Sequence, residues 1–410
     1  MSSGIGDALI TPALTRVMES IYCRDYYRIH KPSLIGSDGS DGVKEEYCKT
    51  AEIQGNVAML KGWQIALESV GSLLLAIPFG WFADTYGRKP LMLMLAVSFV
   101  LKAAWIQIVC FFWQIFPIQL VWLSALHSFM GGGDTMALAT LFTIIADVTS
   151  PAERSAVFFR LGVAAYSIQF FAPILGASLM SQFSPWLPML LGLAMRTLPV
   201  LFTIMLPETL PAKPPLEATP ITEVDRSGGE EEDSSQLDKS PTTLLTKLCR
   251  ALTRAHHATA FITSSPRLLF LIPTALLHIS IINTDVLLQY TSTRYALPLS
   301  RATILLSLRS GVIALTFLFA LPDASHHLTR RLRYAPIVSD LYLVRASALI
   351  GAAGYALIAL SPNVAWLVPA FIVSAGCTGT FLLTKGLATH MVEARHVARL
   401  YSVMAIFDTL

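Results

Sequence analysis

The sequence predicts an all-α protein that crosses a lipid bilayer many times. Three observations carry that expectation. Apolar runs of about 20 residues, the length a bilayer-crossing helix needs, recur along the 410-residue chain. Only 14% of the residues are charged and 54% are hydrophobic, against about 25% charged in a soluble domain. The runs are apolar nearly all round, as in Leu120-Val121-Trp122-Leu123-Ser124-Ala125-Leu126, whereas a surface helix of a soluble protein is apolar on one face only.

In chain order the expected spans are 60–83, 91–112, 119–145, 160–181 and 185–206, then 268–289, 302–322, 341–360 and 363–385, with the start of a further one near Tyr401. This divides the chain into an extracytoplasmic segment over 1–59, an N-terminal transmembrane bundle over 60–206, a linker over 207–267 and a C-terminal bundle over 268–410. Asp7, Arg16 and Glu19 make residues 1–20 a poor span, and Met1-Ser2-Ser3-Gly4 is not the start of a signal peptide. The linker contains Gly228-Gly229-Glu230-Glu231-Glu232-Asp233-Ser234-Ser235, too polar to form a core and therefore expected to be largely disordered. A membrane-surface helix is expected around Leu244–Phe261.

Short connections alternate in charge. One side holds Arg88, Lys89, Arg154, Arg160, Arg330, Arg331, Arg333, Lys385, Arg395 and Arg399; the opposite short connections hold Arg294 and Arg301. The basic side is expected to face the cytosol. Cys23 and Cys48 fall on the other side, where a disulfide would survive; two free thiols are the alternative. The net charge of +3 is scattered between apolar runs, which argues against a nucleic-acid partner. The partners expected are the bilayer and a small solute.

Between the first two expected spans lies Gly80-x-x-x-Asp84-x-x-Gly87-Arg88-Lys89. With Gly131-Gly132-Gly133 in the third, Asp147 and Arg154 at its exit, Pro173-x-x-Gly176 in the next, and Pro207-Glu208-Thr209-Leu210 closing the first half, the chain resembles the major facilitator superfamily, and Glu19–Tyr27 resembles an outer loop of fungal members. The resemblance implies a major facilitator fold of two helical bundles, and a monomeric secondary carrier of a small organic solute, working by alternating access and driven by protons or by the solute's own gradient. A full member has twelve spans in two six-helix halves, so about ten would be present here, with the first and most of the last two missing. A non-transporting member of the same fold is the competing reading. The plasma membrane is the expected location, ahead of the vacuole.

The resemblance implies that Gly80, Asp84, Gly87, Arg88, Lys89, Asp147 and Arg154 form a conformational gate; the alternative is a topology anchor, with Arg88 and Lys89 staying in water and fixing orientation only. Physically, Gly80 would allow close helix approach, Gly87 a tight turn, and Asp84, near a helix C-terminus, would need a base such as Arg88 or Arg154. Gly131, Gly132, Gly133, Pro173 and Gly176 are read as packing or bending positions. For the three glycines the favoured reading is close packing with a local bend, the other being a broken helix beside a cavity.

Ionisable groups inside hydrocarbon are expensive and normally face a cavity or one another. Glu68, His127, Asp134, Arg196, His278, Asp285 and Arg309 are therefore candidates for the solute or proton path, with Lys102 a further intramembrane charge. Asp134 is the leading one, and Arg309 could pair with it or bind an anionic solute. Gln64, Gln107, Gln169 and Gln289 are expected as interhelical hydrogen-bond partners. No ATP-binding Gly-rich loop is present, and His256-His257 and His326-His327 lack metal-ligand spacing, so neither catalysis, a cofactor nor a metal is expected.

Overall fold

The computed structural model describes residues 2–36, 42–148, 151–207, 284–331, 333, 336–378, 380, 384 and 387. The linker, the proposed surface helix and most of the expected 268–289 span lie outside these residues. The described chain is helical throughout. The N-terminal half comprises α1 (Ser2–His30), α2 (Ala51–Tyr86), α3 (Arg88–Phe111), a 3-10 segment (Ile118–Met130) leading into α4 (Gly133–Val148), α5 (Pro151–Gln182) and α6 (Trp186–Met205). The C-terminal half comprises α7 (Thr284–Arg294), α8 (Leu299–Leu315), a π-helical turn into α9 (Leu321–His326), α10 (Pro336–Leu360) and α11 (Val364–Ala375). Among the described residues, 6 helices are long and apolar enough to cross a membrane: 88–111, 118–145, 160–182, 186–205, 299–325 and 338–360.

Local chemistry sets the boundaries. Gly87 has φ 111°, a left-handed conformation that ends α2 and starts α3. Proline precedes the 3-10 segment (Pro117), α6 (Pro185) and α8 (Pro298). Asn363 caps α11, its side chain accepting the Trp366 N–H at 3.2 Å.

Within residues 1–59, expected as an extracytoplasmic segment, Ser2–His30 form one helix packed along α5 and α6, with Leu9, Ala13, Val17, Met18 and Ile21 buried. Gly6 and Gly192 bring α1 and α6 together: a Cβ on Gly6 would lie 2.6 Å from the Gly192 carbonyl. The charges that spoke against a span all have partners. Asp7 pairs with Arg196 of α6. Glu19, 1% exposed, accepts from Arg16 at 3.0 Å, Lys49 at 2.7 Å and Gln54 at 2.5 Å.

Cys23 and Cys48 are joined, tying the end of α1 to the loop before α2. The bridge spans 25 positions, a loop whose closure stabilises by about 3 kcal/mol on chain-entropy grounds. C23S should lower the thermal transition of the purified protein accordingly; an unchanged transition would show that packing of α1 suffices without the bridge.

The main hydrophobic core draws on both halves at the end carrying this disulfide. It includes Leu14, Met18, Leu60, Ile106 and Val121 from the N-terminal half, and Leu288, Leu299, Leu306, Leu367 and Phe371 from the other. Two polar contacts reinforce the junction. Lys61 of α2 pairs with Asp285 of α7 at 3.1 Å, and the Glu45 carboxylate accepts the Leu299 N–H at the start of α8 at 2.6 Å. Deeper down, α5 packs on α8, where Tyr166 stacks on Phe317 with ring centroids 5.3 Å apart.

Candidate functional site

Glu68 stands near the middle of α2, a 36-residue helix about 54 Å long. Its carboxylate is 9% exposed at residue level and is paired with Lys102 of α3 at 2.7 Å. The same group accepts from Gln64 at 3.1 Å and Ser124 at 3.5 Å. Removing two charges from water costs several kcal/mol each, offset only where geometry is good and the remaining lone pairs are met. Here α2, α3 and the 3-10 segment each supply a partner.

His127, 5% exposed, lies beside this pair. Its Nδ1 is 3.0 Å from the Ser124 carbonyl. A carbonyl can only accept, so in the neutral ring Nδ1 carries the proton and Nε2 is a bare acceptor. Nε2 is buried without a hydrogen-bond partner among the described residues. Asp134 occupies the first turn of α4 and acts electrostatically on both Lys102 and His127. A helix N-terminus favours such an anion. Lys102 is thus paired with Glu68, and the exposed Asp134 stands nearby at the start of the next helix.

The glycine run positions Asp134. Gly131, Gly132 and Gly133 have φ values of 151°, 86° and 69°, and they separate the 3-10 segment from α4. The expected bend is therefore a break. The close packing is also present: a Cβ on Gly131 would lie 3.0 Å from Leu95, one on Gly132 2.5 Å from Met136, and one on Gly133 would strike the Ser72 hydroxyl. Gly80, by contrast, would place a Cβ with nothing within 4 Å. Among the described residues the close approach expected there is not made. Pro173 lies inside a continuous α5, and a Cβ on Gly176 would lie 3.4 Å from Leu9 of α1.

The other candidates are placed apart. Arg196 donates to the Phe99 carbonyl at 3.2 Å and pairs with Asp7, so it joins α1, α3 and α6. Asp285 belongs to the inter-half pair with Lys61 at the disulfide end. Arg309 of α8 is 5% exposed and donates to Ser374 at 3.2 Å and Tyr355 at 3.0 Å. It makes no bond to Asp134, because the two carry separate partners in separate halves. His278 lies outside the described residues. Gln107 does link helices, donating to the Met189 carbonyl at 3.0 Å.

In the gate motif, Lys89 donates to the Ile204 carbonyl at 2.9 Å, a cation at the C-terminal end of α6. The side chains of Asp84, Asp147 and Arg154 lie outside the described set. The pairing of Lys102, and the parts of Asp7, Lys61, Ser374 and Tyr355 as partners, are not legible in sequence: Glu68 is 34 positions from Lys102, and Arg196 lies on α6, far along the chain from Asp7. No group of three metal-ligating side chains occurs among the described residues.

Comparison with known proteins places this arrangement. The sequence profile of the Major Facilitator Superfamily matches residues 2–410. An MFS-type transporter, aprT of Aspergillus flavus, is 29% identical over 404 residues, covering 98% of this chain and 76% of the relative. An MFS efflux pump, atnC of Emericella nidulans, is 30% identical over 406 residues, covering 98% and 75%. Among solved structures, the human organic anion transporter MFSD10 superposes with a TM-score of 0.56 at 17% identity, covering 100% of this chain and 89% of its own. A bacterial homologue of the iron transporter ferroportin, in its inward-facing state, gives 0.55 at 14% identity, covering 99% and 88%. At these identities the structural likeness concerns the fold.

Proposed function

The chain belongs to the Major Facilitator Superfamily, and from that premise we propose that it moves a small organic solute by alternating access, with Glu68, Lys102, His127 and Asp134 lining the polar part of the path in its N-terminal half. It is an integral multi-pass membrane protein and a secondary transporter rather than an enzyme. The observation that carries the site reading is the Glu68–Lys102 pair near the middle of α2, with a His127 nitrogen beside it that is bare among the described residues. A pair needed only for folding would be served as well or better by apolar side chains, so a working role is the more economical account of its cost.

Lys102 is engaged by Glu68. Asp134, exposed at the start of α4, is accordingly the group proposed to take up and release a proton. In proteoliposomes holding an imposed proton gradient, D134N should abolish accumulation of solute against its own gradient while leaving downhill exchange. Undiminished accumulation by D134N would rule out this assignment.

In this reading α1 is the first span of a six-helix half made of α1, α2, α3, the 3-10 segment with α4, α5 and α6. The start of α1 then faces the cytosol and residues 31–50, with the disulfide, face outward. In a background without Cys249, a cysteine at Ser3 should react with an impermeant thiol reagent only after cells are opened, and one at Lys31 in intact cells. The reverse pattern would refute it. The plasma membrane suits the disulfide, which persists on an oxidising face. The relative from Emericella nidulans is described as an efflux pump, and export is the direction proposed here.

The inter-half contacts at the disulfide end support a conformation closed to the outside, latched by Lys61–Asp285 and Glu45. K61M with D285N should raise the outward accessibility of the path; unchanged labelling of path cysteines from outside would remove the latch from the account.

A further inference from the structure

Arg309 differs from the other buried cations in having only neutral partners. Lys102 meets Glu68 at 2.7 Å, Lys61 meets Asp285 at 3.1 Å, Lys49 meets Glu19 at 2.7 Å, and Arg196 meets Asp7. The Arg309 guanidinium is held by the Ser374 hydroxyl at 3.2 Å and the Tyr355 hydroxyl at 3.0 Å. Among the described residues no carboxylate reaches it.

The sequence shows why. Between Asp285 and Glu393 the only acids are Asp323 and Asp340. Asp323 is roughly 14 residues along the helix from Arg309, a rise of about 21 Å. Asp340 is roughly 15 residues from Tyr355 on α10, a rise of about 22 Å. Asp285 is engaged by Lys61, and Glu68 by Lys102. An arginine in a membrane-spanning bundle without a counter-charge is costly, and such residues normally mark an ion or substrate path.

Its position fits that role. Arg309 lies where α8 of one half meets α5 of the other. Ile313, one turn on along the same face, lies in one cluster with Ala375, and Tyr166 of α5 packs against it. A planar guanidinium with two of its donors fixed by hydroxyls presents the rest in a set orientation, the geometry that suits bidentate binding of a carboxylate.

We infer that the solute is an organic anion and that Arg309 receives its carboxylate or equivalent anionic group, with Ser374 and Tyr355 as positioning residues. This rests on the carrier reading above, deepens it by naming the class of cargo, and is tested separately from it. The purified full chain is examined with three carboxylates, benzoate, octanoate and succinate, and with their uncharged amides. Two readouts are taken: the shift in thermal transition in detergent, and flux in proteoliposomes.

At least one carboxylate should stabilise the protein and be moved, with its amide inactive in both readouts. R309Q should weaken both responses by about tenfold to a hundredfold, the range for a lost hydrogen bond to a charged group. R309K, which keeps the charge but not the planar fork, should retain part of them. Y355F, which keeps the fold and the cation, should weaken carboxylate binding while leaving the preference for acid over amide. Amides moved as well as acids, R309Q equal to wild type, or no response to any carboxylate would overturn the inference. A carboxylate that stabilises the wild type through Arg309 but is never moved would uphold the anion site and count against the carrier reading.

Discussion

K102M should destabilise the protein by about 3–5 kcal/mol, because it strands the Glu68 carboxylate without its cation. Glu68 is 9% exposed, and its remaining partners, Gln64 and Ser124, are neutral. The second half of the expectation separates stability from function. The double variant E68M/K102M removes both charges and should recover most of the lost stability, since apolar replacement of a whole buried pair is often neutral or stabilising. It should nevertheless remain inactive in flux. Thermal transitions of the wild type, both single variants and the double variant form a cycle that yields the coupling directly. A double variant as unstable as K102M would show that the side chains, rather than their charges, hold this part of the bundle. A double variant with full flux would remove the pair from the solute path.

The second large effect is expected at the glycine break. At Gly132 φ is 86°, and a Cβ would lie 2.5 Å from Met136 and 3.2 Å from Phe79. G132V combines a β-branched residue in a left-handed conformation with overpacking, each worth about 1–3 kcal/mol. Expression and thermal transition should therefore fall sharply, and Asp134 should be displaced from Lys102 and His127. G80V is the matched comparison. A Cβ on Gly80 meets nothing within 4 Å among the described residues, and a substitution without a buried clash is expected within about 0.5 kcal/mol beyond the propensity difference. Equal damage at the two positions would contradict the packing described here.

Most of the helical framework was legible because a span must be long and apolar, and both properties are local. The runs that became α3, α5, α6, α8 and α10 were readable for that reason. The first helix was not. Its charges Asp7, Arg16 and Glu19 look wet in sequence, and they become tolerable only through Arg196, Lys49 and Glu45 from distant segments. The site divided in the same way. Glu68, His127, Asp134 and Arg309 were identifiable singly, because a charge within an apolar run stands out. Their grouping was not, since pairing depends on which helix faces which. Hence Arg309 was offered to Asp134 in sequence terms, while the fold gives it Ser374 and Tyr355. Gly80 illustrates the limit of motif reading: the pattern announced the turn, and Gly87 makes it, but close helix contact is made at Gly71 and Gly131–Gly133 instead.

The account depends on the charged cluster bordering water inside the bundle rather than being sealed in protein or lipid. The most direct measurement is the reactivity of D134C, in a background lacking Cys110, Cys249 and Cys377, towards a charged, membrane-impermeant thiol reagent in native membranes. Reaction from the aqueous phase, altered when K61M and D285N release the outer end, is the result expected. A D134C thiol that ignores the charged reagent from both sides and reacts only with a lipid-soluble maleimide would contradict it.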